Sequence, residues 1–264
     1  MLGNIEPVQR VLNCNPSLNT DLDWQFEHAI AALLFKIPKK IPDSVDLREA
    51  WWGIGDQGST GSCVGWAAAD SVLRWHFVKA NRIGVNDQLS PRFIWMAAKE
   101  TDRLVSFPTT FIEHEGTSLK TALDIARKYG VVKDSFLPFN SGQLYAGDSK
   151  NFYAEASKLK ISSYFNLGSN PTNWKNWLAL NGPIMARLNV DDTWDNAFST
   201  KGNLDIYNPK ATRGGHAVAL VGYTQDRFIV RNSWGAINWG DKGFGYASLA
   251  YAKKAFVETY GVSL

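Results

Sequence analysis

Cys63 closes a glycine-rich loop, Gln57-Gly58-Ser59-Thr60-Gly61-Ser62, and opens a run in which Trp66, Ala69, Leu73 and Phe77 return at helical spacing. That periodicity predicts an amphipathic helix through Asn81 with Cys63 at its N-terminus. There the positive end of the helix dipole and the free N–H groups of the first turn favour a thiolate, the form in which sulfur is nucleophilic. A candidate base lies far along the chain. His216 sits in Gly214-Gly215-His216-Ala217-Val218-Ala219-Leu220-Val221-Gly222-Tyr223, which reads as a buried strand, and Asn232 closes a second apolar run, Phe228-Ile229-Val230. A cysteine with a distant histidine and asparagine is the pattern of a nucleophile, an imidazole base and an amide that orients it. Asn232 accepts from His216 in this reading, Trp234 shields that bond from water, and the Gln57 side chain donates to a developing oxyanion beside the Cys63 backbone N–H.

Further pieces surround these four. Ile41-Pro42-Asp43-Ser44-Val45-Asp46-Leu47-Arg48 precedes the loop, and Asn232-Ser233-Trp234-Gly235 is followed by Trp239-Gly240 and Gly243-Phe244-Gly245-Tyr246. With them the chain resembles the papain family of cysteine peptidases from about residue 41 to about residue 250. The resemblance implies an α+β, papain-like fold of two lobes, a helical one over about 49–150 and an antiparallel, β-barrel-like one over about 151–264. It places the active site in the cleft between them and makes residues 41–264 a catalytic domain that hydrolyses peptide bonds with Cys63, His216, Asn232 and Gln57. Gly116-Thr117 stands where the family has a Gly-Gly pair whose second backbone meets the extended substrate. Gly215, Ala217 and Trp234 flank the same cleft, and Arg187 falls on the strand position bordering the main specificity pocket. There it is expected either to narrow that pocket and favour a polar or acidic side chain, or to turn into solvent. Asp191, Asp192 and Asp195 are candidate partners for it. Their spacing resembles part of a calcium loop but lacks the glycine and closing glutamate, so no metal is expected, and no cofactor is implied.

Residues 1–40 precede the apparent mature start and read as a propeptide-like extension, shorter than the family's long prosegments, that either partly covers the cleft or docks away from the site as an ordinary arm. Asp21 or Asp23 is placed to cap a short helix with Trp24, Ile30, Leu33 and Leu34 on its apolar side, and Lys36-Ile37-Pro38-Lys39-Lys40 reads as an extended linker. The chain has two cysteines, Cys14 and Cys63. Thr60 occupies the place of a loop cysteine that forms a disulfide in many secreted relatives, so that bridge is absent. Cys14 is expected to be a surface or half-buried free thiol. Few cysteines and no readable secretory signal suit a soluble chain, cytoplasmic or exported by another route, and a bacterial relative more than a lysosomal one. A net charge of +3 over 264 residues is too weak to argue for nucleic acid or a membrane surface, and neither is expected as a partner. A peptide or protein substrate and a monomer are expected.

Between the catalytic pieces, Ser90 and Pro91 mark a helix start. The stretch from Thr101 to His114 is longer than the family's connection and offers a single histidine, His114, too little for the carboxylate-reading histidines of exopeptidase relatives. Leu119 to Tyr129 reads as a helix ended by Gly130 in the left-handed conformation. From Tyr153 the texture becomes strand-like, with strands near 161–165, 182–190, 216–223, 228–232 and 243–248 and a helix at 171–180. Two rival functions use the same residues: another acyl transfer, such as transpeptidation or side-chain amide hydrolysis, and a silent binding module. The intact set of nucleophile, base and orienter speaks against the second.

Overall fold

The computed structural model describes residues 9–101, 114–141, 149–237 and 239–264. Its axis is a helix over residues 63–79, built from α2 (Cys63–Gly65), a π-helical stretch (Trp66–Leu73) and α3 (Arg74–Lys79). Every residue from Ala67 to Leu73 is buried, Asp70 and Ser71 included, so the expected one-sided apolar face is instead buried all round. The cause is its position. The helices α4 (Pro91–Thr101) and α5 (Leu119–Lys128) pack on one side and the sheet on the other. Gly65 permits the close crossing of α4, since a methyl group there would stand 2.3 Å from the Pro91 carbonyl oxygen.

Local chemistry sets the helix ends. The Phe93 N–H donates to Ser90 Oγ at 3.0 Å, which satisfies one orphan donor of α4. Ser118 caps α5 through the Thr121 N–H, and Gly130, at φ 96°, ends it. Helix α6 (Ser149–Ala156) occupies part of the stretch expected to be strand-like; the first strand of that half begins only at Ser163. Helix α7 (Pro171–Leu180) is capped by Asn170, whose Oδ1 accepts from the Thr172 N–H at 3.0 Å. The long stretch before His114 lies at residues 102–113, outside the described residues.

One sheet of eight strands forms the second lobe: β1 (Val45–Asp46), β2 (Ser163–Asn166), β3 (Ile184–Val190), β4 (Asn203–Leu204), β5 (Gly214–Tyr223), β6 (Arg227–Arg231), β7 (Phe244–Ser248) and β8 (Phe256–Ser263). Their order is β2-β8-β3-β5-β6-β7-β4, with β1 paired to β5, and among these strand pairs of the described residues only β4–β7 is parallel. Strand β8 follows α8 (Leu249–Ala255) and inserts between β2 and β3. The unbroken apolar run of β5 follows from burial on both faces. Alternate residues Ala217, Ala219 and Val221 join the core beneath the 63–79 helix, while Val218 and Leu220 join a second core under α7 and α8, with Trp174, Trp177 and Tyr251.

The two lobes share a buried ionic tie. Arg231, at the end of β6, pairs with Asp70 at 2.8 Å and donates to Ser71 Oγ at 2.6 Å, both on the π-helical stretch. Arg74 approaches the same carboxylate at 3.5 Å.

The N-terminal arm is anchored at α1 (Phe26–Ala31), whose buried residues are Phe26 and Ala29. Trp24, Leu33 and Leu34 are exposed, against the expected apolar side. The helix starts only after Gln25, and Asp23, rather than capping it, accepts from the Tyr260 hydroxyl at 2.7 Å and pairs with Lys120. Phe26 meets Phe35 and Trp177 edge-on with centroids 5.4 and 5.2 Å apart, an aromatic cluster that fixes the arm to the sheet lobe. Among the described residues no helix is long and apolar enough to cross a membrane.

Candidate active site

Cys63 is fully buried in the first turn of α2. The residue before it does not cap the helix: the Ser62 hydroxyl pairs with Thr60 Oγ1 at 2.6 Å. No Ser62 side-chain cap thus competes for the positive pole beside the sulfur. The loop that delivers Cys63 is pinned to the other lobe. The Gln57 N–H donates to the Ser233 carbonyl at 2.9 Å, and the Ser233 hydroxyl donates to Gln57 Oε1 at 2.8 Å. That second bond orients the buried amide, leaving Nε2 to donate to the Thr60 carbonyl at 2.9 Å.

His216 enters from β5 and is fully buried. Its Nε2 lies 2.8 Å from Asn232 Oδ1, which also accepts the Ser233 N–H at 2.8 Å. Trp234 lies against the imidazole with centroids 5.0 Å apart, and Trp194 meets the ring edge-on at 5.5 Å. Trp194 carries no motif and was invisible to spacing arguments; together the two indoles exclude water from the His216–Asn232 bond. Nδ1 makes no hydrogen bond of ordinary geometry among the described residues, yet the ring is near enough to Cys63 to act on its charge. The Cys63 thiol is held well below its ordinary pKa, first by a hydrogen bond from the Cys14 thiol. Burial opposes this, while His216 and the Ala217 N–H lower it further. The four residues singled out in sequence therefore converge on one point between the lobes. Among the described residues no group of three or more His, Cys, Asp or Glu could hold a metal.

A sequence model described as papain family cysteine protease matches residues 41–262. The chain belongs to the papain family of cysteine proteases. It is 26% identical over 215 residues to Cysteine proteinase B of Leishmania mexicana, an alignment covering 77% of this chain and 44% of that protein. It is 27% identical over 218 residues to the Cathepsin B-like CP3 of Giardia intestinalis, covering 77% of this chain and 68% of that one. The chain thus spans less than half the length of the Leishmania relative. Its fold matches xylellain, a cysteine protease from Xylella fastidiosa, with a TM-score of 0.77, 20% identity and 96% of each chain covered. It also matches the digestive procathepsin L 3 of Tenebrio molitor larval midgut, with a TM-score of 0.64, 18% identity, and 86% and 71% coverage.

In this papain-family chain the cleft is filled by its own N-terminal strap. Arg10 pairs with Asp56, donates to the carbonyls of Gly58 and Trp234 at 3.0 and 3.1 Å, and lies over the Trp234 ring. Asn13 donates to the His114 carbonyl. The Cys14 N–H donates to the Gly215 carbonyl at 3.0 Å, its own carbonyl accepts from Arg187 Nε at 2.9 Å, and the Asn15 N–H donates to the Thr117 carbonyl at 3.0 Å. A methyl group on Gly116 would stand 2.0 Å from the Asn13 carbonyl oxygen, and one on Gly215 2.3 Å from that of Cys14. The strap thus needs bare glycine backbone on both walls.

Of the residues expected to line the cleft, Gly116, Thr117, Gly215, Arg187 and Trp234 all meet the strap, and the Ala217 backbone helps lower the Cys63 pKa. Arg187 does not point into solvent; it reaches across to a strap carbonyl. Its proposed acidic partners are engaged elsewhere: Asp191 with Thr193, Tyr251 and the Asn208 N–H, Asp192 with Asn208, and Asp195 with Arg213. Cys14 is also corrected. It is buried at 2% exposure rather than at the surface, against Cys63. Only the path of the strap reveals this contact.

Proposed function

We propose that this chain is a cysteine peptidase in which Cys63 attacks the scissile carbonyl of an extended peptide and residues 9–19 hold the enzyme latent. The observation carrying this reading is the His216–Asn232 bond at 2.8 Å, sealed by two tryptophans beside a pKa-lowered thiol at a helix N-terminus. His216 serves as acid for the leaving amine and as base for the water that cleaves the thioester, and Asn232 keeps the ring in register. Gln57 Nε2 and the Cys63 N–H are the oxyanion donors. The strap takes the backbone partners, the Gly215 and Thr117 carbonyls, that an extended substrate needs, so hydrolysis requires its displacement.

The test is hydrolysis of a fluorogenic dipeptide amide under reducing conditions by the full chain and by Arg10→Ala and Asn13→Ala variants, with Cys63→Ala as blank. A cut at Ile41 is a poor comparison, because it removes Phe26 and Phe35 from the aromatic cluster. A charge-assisted hydrogen bond contributes about 1.5–3 kcal/mol, so losing Arg10's contacts should raise the open fraction and the rate roughly 10- to 100-fold. No hydrolysis by any variant, with Cys63 still labelled by a thiol-directed epoxide, would overturn the peptidase reading in favour of a different acyl acceptor. Hydrolysis by the wild type equal to that of both variants would overturn the latency.

A further inference from the structure

The chain's two cysteines, 49 positions apart in sequence, meet in the cleft. Both are free thiols, both are buried, and both belong to the core beneath the 63–79 helix. Cys14 is not a passing side chain. Its N–H is held by the Gly215 carbonyl and its C=O by Arg187 Nε, at 3.0 and 2.9 Å, so its backbone is fixed on both sides immediately beside the residue that precedes His216. Its thiol donates to the Asn15 carbonyl at 3.9 Å and stays close enough to Cys63 to act on that sulfur's charge.

We propose that Cys14 and Cys63 form a reversible disulfide under peroxide stress, tying the strap into the cleft and protecting the nucleophile. The Cys63 thiolate attacks one oxygen of hydrogen peroxide; the O–O bond breaks, hydroxide leaves and takes a proton, and Cys63 becomes a sulfenic acid. The Cys14 sulfur, losing its proton, attacks the Cys63 sulfur; the S–O bond breaks and a second water departs. Two thiols and one peroxide give one disulfide and two waters. The ordinary hazard for such a nucleophile is a second and third oxidation to sulfinic and sulfonic acids, which a thiol reductant does not reverse. A resolving thiol buried in the same core captures the sulfenic acid first. A dithiol reductant restores both cysteines, so reduction frees the strap as well as the nucleophile.

The nucleophile's role in hydrolysis rests on the reading above, but the link needs only the two sulfurs, so its test reads mass rather than activity. The full chain is exposed to hydrogen peroxide, free thiols are blocked with iodoacetamide, and the digest is analysed by mass spectrometry before and after dithiothreitol. The expected product is one peptide joining Cys14 to Cys63, lighter than its two parents by about 2 Da for the hydrogens removed, and lost on reduction. In Cys14→Ser the same exposure carries Cys63 to sulfinic and sulfonic acid, so the share of Cys63 recovered by dithiothreitol falls from nearly all to nearly none. Wild-type protein that accumulates sulfinic Cys63 while Cys14 stays free overturns the proposal, as does equal recovery in Cys14→Ser. Appearance of the linked peptide in a protein that hydrolyses no peptide when reduced leaves the disulfide standing and removes the peptidase reading.

Discussion

At the scale of single residues, the proposed mechanism separates two kinds of contribution. Toward the substrate the Gln57 side chain meets only the oxyanion, so Gln57→Ala should lower kcat roughly 100–1,000-fold with little change in KM. Steady-state kinetics in an open-strap background such as Arg10→Ala reads this directly. Cys14 acts on charge. Its thiol is the largest influence lowering the Cys63 pKa, with His216 and the Ala217 N–H adding to it. In Cys14→Ala the iodoacetamide labelling rate of Cys63 should therefore rise at a higher pH than in the wild type. It should still rise below the ordinary thiol range, because His216 remains. A profile unchanged by the substitution would refute the contact's influence. Cys63, His216, Asn232 and Gln57 stand out in sequence only as a set, four residues in order, each inside a matching local pattern; the fold brings them to one point between the lobes. Cys14 does not stand out, because a lone thiol acquires meaning only from the path of the strap. Trp194 was missed for the same reason: an aromatic residue says nothing about which ring it will face.

At the scale of elements, the 63–79 helix departs furthest from its pattern. Its spacing predicts a one-sided apolar stripe, yet its π-helical part is buried on every side and carries Asp70 inward to meet Arg231 at 2.8 Å. Periodicity finds a helix but does not register a partner arriving from a strand more than a hundred residues on. Removing one member of a buried pair leaves the other charged and unpaired, so Asp70→Ala should cost about 3–5 kcal/mol in urea unfolding. His76 on α3 is buried, and burial depresses its pKa from 6.5 to about 4. Between those values the unfolded chain binds the extra proton and the folded chain does not. Stability is thus full above pH 6.5 and is lost as pH falls toward 4, by about 3 kcal/mol from this group alone. In His76→Phe this part of the slope should disappear when unfolding at about pH 7 is compared with about pH 4.5. The C-terminal α8 and β8 carried no expectation at all. Strand β8 lies inside the sheet because β2 and β3 accept it from either side, a pairing no local signal announces.

At the scale of the whole molecule, the lobes and the cleft follow from a helix-rich half preceding a strand-rich half, and that order was plain in the sequence. The sequence leaves the arm either over the cleft or docked away from it and puts Trp24, Leu33 and Leu34 on the buried side of its helix, whereas these are exposed and Phe26 enters the aromatic cluster. Hydrophobicity alone does not say which side of a six-residue helix the sheet will cover. Under the proposed latency, that anchor has a kinetic consequence. A strap joined to the domain it blocks is a competitor whose local concentration is set by its tether, on the order of millimolar for a short flexible linker, whatever the concentration of protein in solution. An inhibitor that binds from outside is lost on dilution; this one travels with its target. Latency per molecule should be the same at nanomolar and micromolar enzyme, and a specific-activity series across that range is the check. A peptide substrate meets the same competitor, so its apparent KM is raised by the reciprocal of the open fraction. Enzyme concentration does not alter that fraction, whereas a cut, a lost contact or a change in the sulfur beside Cys63 does.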